Sequence, residues 1–431
     1  MSRSLQQAVG DGHVVTGTTN TRREVDVLIV GAGPGGSATA YHLARHGIDV
    51  MLVERSAFPR EKACGDGLTP RGVAAMIRMG VDPHDPGFAR VRGLRVHSRK
   101  VTLELPWPAL HDYPDYGLVR TRMDFDQLLA RRAQQAGATL LERTEAVSPL
   151  LADGWVVGAV VRPVEGGDPL QVRTRFVVAA DGAASRFAGQ AGVRRDASRP
   201  LGIAARRYYR TSRRPGSWLE VWMDLREGES MLPGYGWVFP LTNGCVNVGA
   251  GSLNTFRNFK DVSAQRLFSA FCRMLPQDWG VSEETAEGRL LSGPLPMGIN
   301  RTPQAIPGLL VVGDAVGVVN PFNGEGIAYA IETGEIAAEL IHDALVKDRP
   351  GLAHMYPTVL RERYGRYFRL GTGFVRLIGN PTVMRTFSDY GLPQEWLMRF
   401  AFRLMSNLTD GRKGDAQDRL MDALVGLTPA P

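Results

Sequence analysis

Residues Val25–Glu54 read VDVLIV-GAGPGG-SATAYHLARHG-IDVMLVE. An apolar run comes first, of the kind a fully covered parallel strand needs. Gly31, Gly33 and Gly36 follow in the G-x-G-x-x-G spacing and open a helix. A second apolar strand then ends on Glu54. In such a unit Gly31 permits the tight turn, Gly33 lets a pyrophosphate reach the backbone, and Gly36 lets helix and strand pack closely. The helix start offers free N–H groups and a partial positive charge to phosphate. A carboxylate about 20 residues on, here Glu54, suits a ribose hydroxyl. The stretch therefore predicts a strand–helix–strand unit that binds a dinucleotide.

Two later segments have a related form. FVVAADGAASRF delivers Asp181-Gly182 at the end of an apolar strand. That turn either supports a cofactor or is an ordinary strand-to-helix connection. GLLVVGDAVGVVNPFNGEGIAYAI delivers Gly313-Asp314, then a Gly/Pro loop over Asn320–Gly326 that opens a long helix. Asp314 at a strand end suits a sugar-alcohol hydroxyl. The helix start suits phosphate or another negative pole. Between the first two segments, RSAFPREKACGDGLTPRG forms a tight loop around Cys64 that can bring backbone close to a ligand.

The rest of the chain divides by pattern. LRVHSRKVTLEL alternates as a β hairpin, and a helix begins near Met123 with Arg122 at its start. Residues 200–260 are rich in strands and aromatic side chains, among them Trp218, Trp222, Tyr235, Trp237 and Phe239. Alternation puts Tyr235, Trp237 and Phe239 on one face, as core or as pocket lining. A helix is expected over Ala264–Met274. From Arg361 to Arg403 eight arginines stand against three acidic residues, interleaved with aromatic and aliphatic side chains. Arg399 and Arg403 share a helical face. That profile fits a membrane-surface helix or one packed on the protein itself.

A length of 431 residues predicts two or three structural units. The expected fold is α/β plus antiparallel β: a Rossmann-type domain with an inserted β-sheet domain and C-terminal helices. Residues 1–23, polar and lacking the apolar core of a signal peptide, are expected to be a disordered tail. The discontinuous nucleotide-binding domain is expected over 24–90, 120–195 and 300–345. The β-rich substrate domain is expected over 91–119 and 196–299, and the helical region over 346–431. No apolar run reaches the ~18 residues of a membrane span. The net charge of +7 fits an anionic cofactor or membrane surface, and no nucleic-acid motif accompanies it. The three cysteines, Cys64, Cys245 and Cys272, form no C-x-x-C pair and are odd in number. A disulfide framework or a structural metal site is not expected, and a reducing cytoplasm is.

Taken together, GAGPGG with Glu54, Asp181-Gly182 and Gly313-Asp314 resemble the FAD fold of the aromatic-hydroxylase superfamily. ACGDGLTP resembles the Cys-Gly loop of geranylgeranyl reductases. Tyr235-x-Trp237-x-Phe239-Pro240, with Gly249-x-Gly251 eight residues on, resembles that family's substrate motif, and NPFNGEGI fits as well. The resemblance runs from Val25 to about Leu408. It is nearest to actinobacterial members, among them menaquinone reductases that saturate one isoprene unit of the quinone tail. It implies FAD as cofactor, held by Gly31, Gly33, Gly35, Gly36, Glu54, Cys64, Gly65, Gly67, Arg122, Ala146, Asp314, Gly326 and Ile327. It implies Cys64 as a participant in catalysis, as proton donor or by holding a water. The aromatic row, with Trp218 and Trp222, would line a slot for a prenyl lipid or quinone. One departure is Ala63, where many relatives carry Pro or Arg. There is no second nicotinamide-type unit, so electrons would come from transiently bound NAD(P)H or a ferredoxin-like carrier. The protein would meet its substrate at the inner face of the cell membrane. Two other readings stay open at this point: a flavin monooxygenase or hydroxylase on the same fold, and a non-enzymatic flavoprotein that binds quinone or lipid.

Overall fold

The structure, a computed structural model, describes residues 22–429 apart from 100, 214, 215, 229, 258 and 411–413. The expected tail lies outside the described residues except at its end. Arg22 and Arg23 already belong to the first strand, Arg22–Val30.

That strand is the centre of an eight-stranded sheet. It pairs in parallel with Leu170–Ala179 on one side and Val50–Val53 on the other. Leu309–Val311 and Thr139–Leu141 extend the parallel array outward. Val27, Leu28 and Ile29 are wholly buried, as both faces of such a sheet must be covered. The helices Pro34–Arg45 and Ile327–Val346 pack against each other over one face. Their approach is so close that a Cβ on Gly334 would lie 2.4 Å from the carbonyl oxygen of Gly35. The carboxyl ends of four parallel strands (Val30, Val53, Ala179, Val311) meet at one edge, which is where open α/β sheets bind ligands.

A second, seven-stranded sheet runs in the order Ala286–Pro296, Leu201–Arg210, Cys245–Leu253, Tyr235–Pro240, Leu219–Trp222, Gly93–His97 and Thr102–Pro106. The helix Ala264–Met274 forms where the sequence predicts it. Ser263 caps it by accepting the Arg266 N–H at 3.1 Å. Leu267, Phe268 and Phe271 recur at helical spacing and bury against one face of this sheet. The other face looks across a cavity toward the strand ends of the first sheet.

The C-terminal segment forms helices over Arg366–Ile378, Pro381–Thr386, Glu395–Met405 and Ala416–Leu427. Of the two readings open for the Arg399–Arg403 face, Arg403 follows the helix packed on the protein itself. It is buried, and its guanidinium meets Asp415 and Asp418 at 2.7 Å each. The partners come from the next helix, beyond the reach of local helical periodicity. No described helix is long and apolar enough to cross a membrane.

Candidate active site

A cavity of about 720 Å³ lies between the two sheets. The first strand enters it through Gly31, whose φ of +100° is the left-handed region open to glycine. A Cβ there would lie 2.5 Å from the Ala180 carbonyl oxygen. A Cβ on Gly36 would lie 1.9 Å from the Gly31 carbonyl oxygen, so this glycine closes the turn on itself. Gly35 faces the Ala330 carbonyl of the Ile327–Val346 helix. Gly33 alone looks into open space, with Arg60 as its nearest neighbour at 3.7 Å. This is the approach a pyrophosphate needs.

Glu54 caps the turn from the neighbouring strand. Its Oε2 accepts the Ala32 N–H at 3.1 Å and its Oε1 the Ser56 N–H at 3.0 Å. Arg60 bridges Glu54, at 3.3 Å, and Asp126, at 2.9 Å. Arg122 grips Asp126 with two bonds of 2.6 and 2.7 Å. Burial would raise the Asp126 carboxyl, but Arg122 and then Arg60 hold it below the usual carboxylate range. Arg122 thus stands on the cavity wall with its charge already engaged. Ala146 lines the wall beside Thr144 and Glu145. Asp314 follows the Leu309–Val311 strand and meets Lys62 at 3.6 Å. Gly326 precedes Ile327, the first residue of a 20-residue helix whose positive end borders the cavity. Asp181 serves the fold: its carboxylate accepts the Phe187 N–H at 2.8 Å and the Ser185 hydroxyl at 3.3 Å. These features fit a dinucleotide: an open phosphate approach at Gly33, carboxylates at Glu54 and Asp314, and a helix start.

The slot continues past Cys64. A Cβ on Gly65 or Gly67 would lie 3.1 or 3.2 Å from the Phe239 ring, so the Cys-Gly loop rests on the aromatic row. Tyr235, Trp237 and Phe239 all line the cavity. Gly249 explains the second half of the motif: a Cβ there would sit 2.0 Å from the Trp237 ring, which lies flat on the strand. The expectation for Trp218 and Trp222 is corrected. On the strand Leu219–Trp222, Leu219 and Val221 face the cavity and the tryptophans face away. Trp222 stacks on His97 at 4.4 Å and meets Phe271 and Trp279 under the helix. Trp218 is buried beneath Arg92.

Two acidic side chains escaped the sequence reading. Asp66, two residues past Cys64, has φ +68° and is buried. It accepts the Tyr208 hydroxyl at 2.7 Å, the Asn247 amide at 2.8 Å and the Arg122 N–H at 3.2 Å. Asn247 also donates to the Cys64 carbonyl at 2.8 Å and accepts the Trp237 indole N–H at 3.0 Å. Glu325, inside the GEGI loop, accepts the Thr69 hydroxyl. Its place between two glycines of a loop already assigned to the cofactor was the available signal. Burial pushes the Cys64 thiol up from its ordinary value, against the pull of Arg122.

Comparison with known proteins agrees with this geometry. The "FAD binding domain" family matches residues 24–253. A menaquinone reductase from Mycobacterium tuberculosis is 37% identical over 396 residues, covering 89% of this chain and 91% of that protein. A digeranylgeranylglycerophospholipid reductase from Thermoplasma volcanium is 29% identical over 348 residues, covering 79% and 84%. A crystal structure of a geranylgeranyl bacteriochlorophyll reductase-like protein from Thermoplasma acidophilum superposes with a TM-score of 0.72. At 23% identity it covers 94% of this chain and 97% of its own, and it shows the same fold.

Proposed function

Because the chain belongs to the family of FAD-binding proteins that includes the menaquinone reductases, we propose that it saturates carbon–carbon double bonds of a polyprenyl chain. The substrate is the isoprenoid tail of a menaquinone or a geranylgeranyl-type lipid. The observation that carries this reading is the continuity of the cavity. It runs from Gly33 and Glu54, past Cys64, along Tyr235–Phe239, and ends among Phe374, Met384, Phe387 and Phe402. The first part suits a nucleotide, and the largely apolar lining of the last suits an apolar chain.

Bound FAD, when reduced, supplies a hydride equivalent. The chain's own residues do the rest. Gly33 would admit the pyrophosphate to the backbone of a turn that Gly31, Gly35 and Gly36 allow to close, and Glu54 would take the ribose. Arg122, Ala146, Asp314, Gly326 and Ile327 would complete the cradle, and Cys64, Gly65 and Gly67 would hold the cofactor from the Cys-Gly loop. Each methylene buried along Tyr235, Trp237 and Phe239 gains about 0.8 kcal/mol. A few isoprene units therefore bind tightly without polar contacts. The apolar wall also keeps water from the reacting carbons. Electrons arrive from NAD(P)H or a ferredoxin-like carrier that docks transiently. Anaerobic enzyme, chemically reduced and given a prenylated menaquinone, is expected to yield product heavier by one H2. A product heavier by one oxygen atom, formed only in air, would establish the hydroxylase instead.

A prenyl lipid must leave its bilayer to enter. In the C-terminal segment, whose Phe374, Phe387 and Met398 line the cavity, Leu377, Tyr390 and Trp396 are 58%, 74% and 70% exposed, and Arg376 and Arg385 are exposed as well. This segment is proposed to dock on an anionic membrane, its aromatic side chains at headgroup level. Replacing Leu377, Tyr390 and Trp396 together by Ser is expected to reduce pelleting with phosphatidylglycerol vesicles several-fold. Undiminished pelleting would retire the docking face.

A further inference from the structure

Saturating an alkene requires a proton as well as a hydride, and the cavity holds a side chain better placed to give one than Cys64. We propose that Glu325, which lines the cavity, is the general acid of the reduction, giving a proton to the alkene carbon that does not receive the hydride.

The geometry singles it out. Glu325 lies in the loop joining the two parts of the cavity. Gly326, next to it, approaches Asp314 on the nucleotide side, with 3.4 Å between its would-be Cβ and Oδ1. Gly324, on its other side, lies against the aromatic row, with 3.0 Å between its would-be Cβ and the Tyr235 hydroxyl. The two carboxylate oxygens are inequivalent. Oε1 accepts the Thr69 hydroxyl at 2.5 Å, which leaves Oε2 to carry a proton. Oε2 is buried and has no partner among the described residues. A buried carboxyl oxygen without a partner carries a desolvation cost that protonation relieves.

The charged surroundings agree. Burial, chiefly, pushes the Glu325 carboxyl up to about 7, against the Thr69 hydrogen bond and the Arg71 charge. Glu332, from the Ile327–Val346 helix, adds to the upward push. An acid poised near the working pH is the most effective proton donor. The alternatives are worse suited. The Cys64 thiol is raised from an already high value and its sulfur accepts the Asp66 N–H. The Asp66 carboxylate is engaged by Tyr208, Asn247 and the Arg122 N–H, so it positions the loop.

The step balances. The π bond of the alkene breaks. One carbon gains the hydride, two electrons and a proton together, from the reduced flavin. The other gains the proton as the Glu325 O–H bond breaks. The carboxylate left behind is reprotonated by solvent, and the flavin ends two electrons oxidised.

This inference rests on the polyprenyl reduction proposed above. Its test uses the holoenzyme in two readouts. In single-turnover reduction of a prenylated menaquinone, the rate is expected to fall as pH rises through about 7. Glu325→Gln, shown by its flavin absorbance to hold FAD, is expected to lose about 100-fold or more and to lose that pH limb. Glu325→Asp should recover part of the rate, and Cys64→Ala should lose less than Glu325→Gln. Independently of turnover, infrared difference spectra should show a carboxylic acid C=O band that titrates with a midpoint of about 7 and vanishes in Glu325→Gln. A Gln variant that keeps the wild-type rate and pH limb overturns the inference, as does a wild-type spectrum lacking the band. A wild-type enzyme inert toward every prenyl quinone would instead bring down the proposed function, a failure that needs no variant to see.

Discussion

A Gly36→Val enzyme is expected to purify without FAD. The Cβ it introduces would sit 1.9 Å from the Gly31 carbonyl oxygen and 3.1 Å from the Ala180 Cβ. The first clash is with backbone, which cannot rotate aside. The turn must open, and the N–H groups that start the Pro34–Arg45 helix then no longer converge on the phosphate position. Gly33→Val separates cofactor binding from folding. Its new Cβ meets nothing closer than Arg60 at 3.7 Å, so the apoprotein should fold. It occupies the phosphate approach, so affinity should fall by an order of magnitude or more. Flavin absorbance of the purified variants, with thermal melts of the apoproteins, checks both. A yellow Gly36→Val protein with wild-type affinity would contradict the geometry.

Glu332→Ala is expected to cost about 3–5 kcal/mol of stability. Glu332 is buried and accepts the Arg71 guanidinium at 2.8 Å and the Tyr364 hydroxyl at 2.7 Å. Removing it leaves the buried Arg71 charge without its counter-ion, which costs more than the pair itself contributes. The pH dependence has a definite sign. Burial alone would raise the Glu332 carboxyl, yet Arg71 holds it below the ordinary value. Its stabilisation is therefore present above the unfolded-state value and lost as pH falls through the folded one. Asp126, lowered by Arg122 and Arg60, acts in the same direction. Thermal melts should show the wild type losing stability in acid and the Glu332→Ala variant losing less. Parallel acid limbs would show that this pair does not govern the transition.

The parts of the fold legible in the chain were those written in local pattern. The apolar run before Gly31, the glycine spacing and the terminal Glu54 each follow from what a strand–turn–helix must do, and the helix over Ala264–Met274 follows from its apolar spacing. The misses share a cause. Alternation along Leu219–Trp222 was visible, but its phase was not, because nothing local says which face meets the cavity. Trp218 and Trp222 were therefore set on the wrong side. For Arg403 the choice between a membrane-facing and a protein-packed helix stayed open, because its partners Asp415 and Asp418 come from the next helix. Asp66 and Glu325 owe their character to burial and to donors far along the chain, Tyr208 and Thr69, which no motif announces.

Asn247 has a bearing on anyone who would re-tailor the slot. Its one amide accepts from the indole of Trp237 and donates to both the Cys64 carbonyl and Asp66, so it rivets the Tyr235–Pro240 strand to the Cys-Gly loop. The two walls then cannot drift apart independently, and the gap between them has a set gauge. Widening it for a bulkier tail means paring down Phe239 or Tyr235 while sparing the rivet.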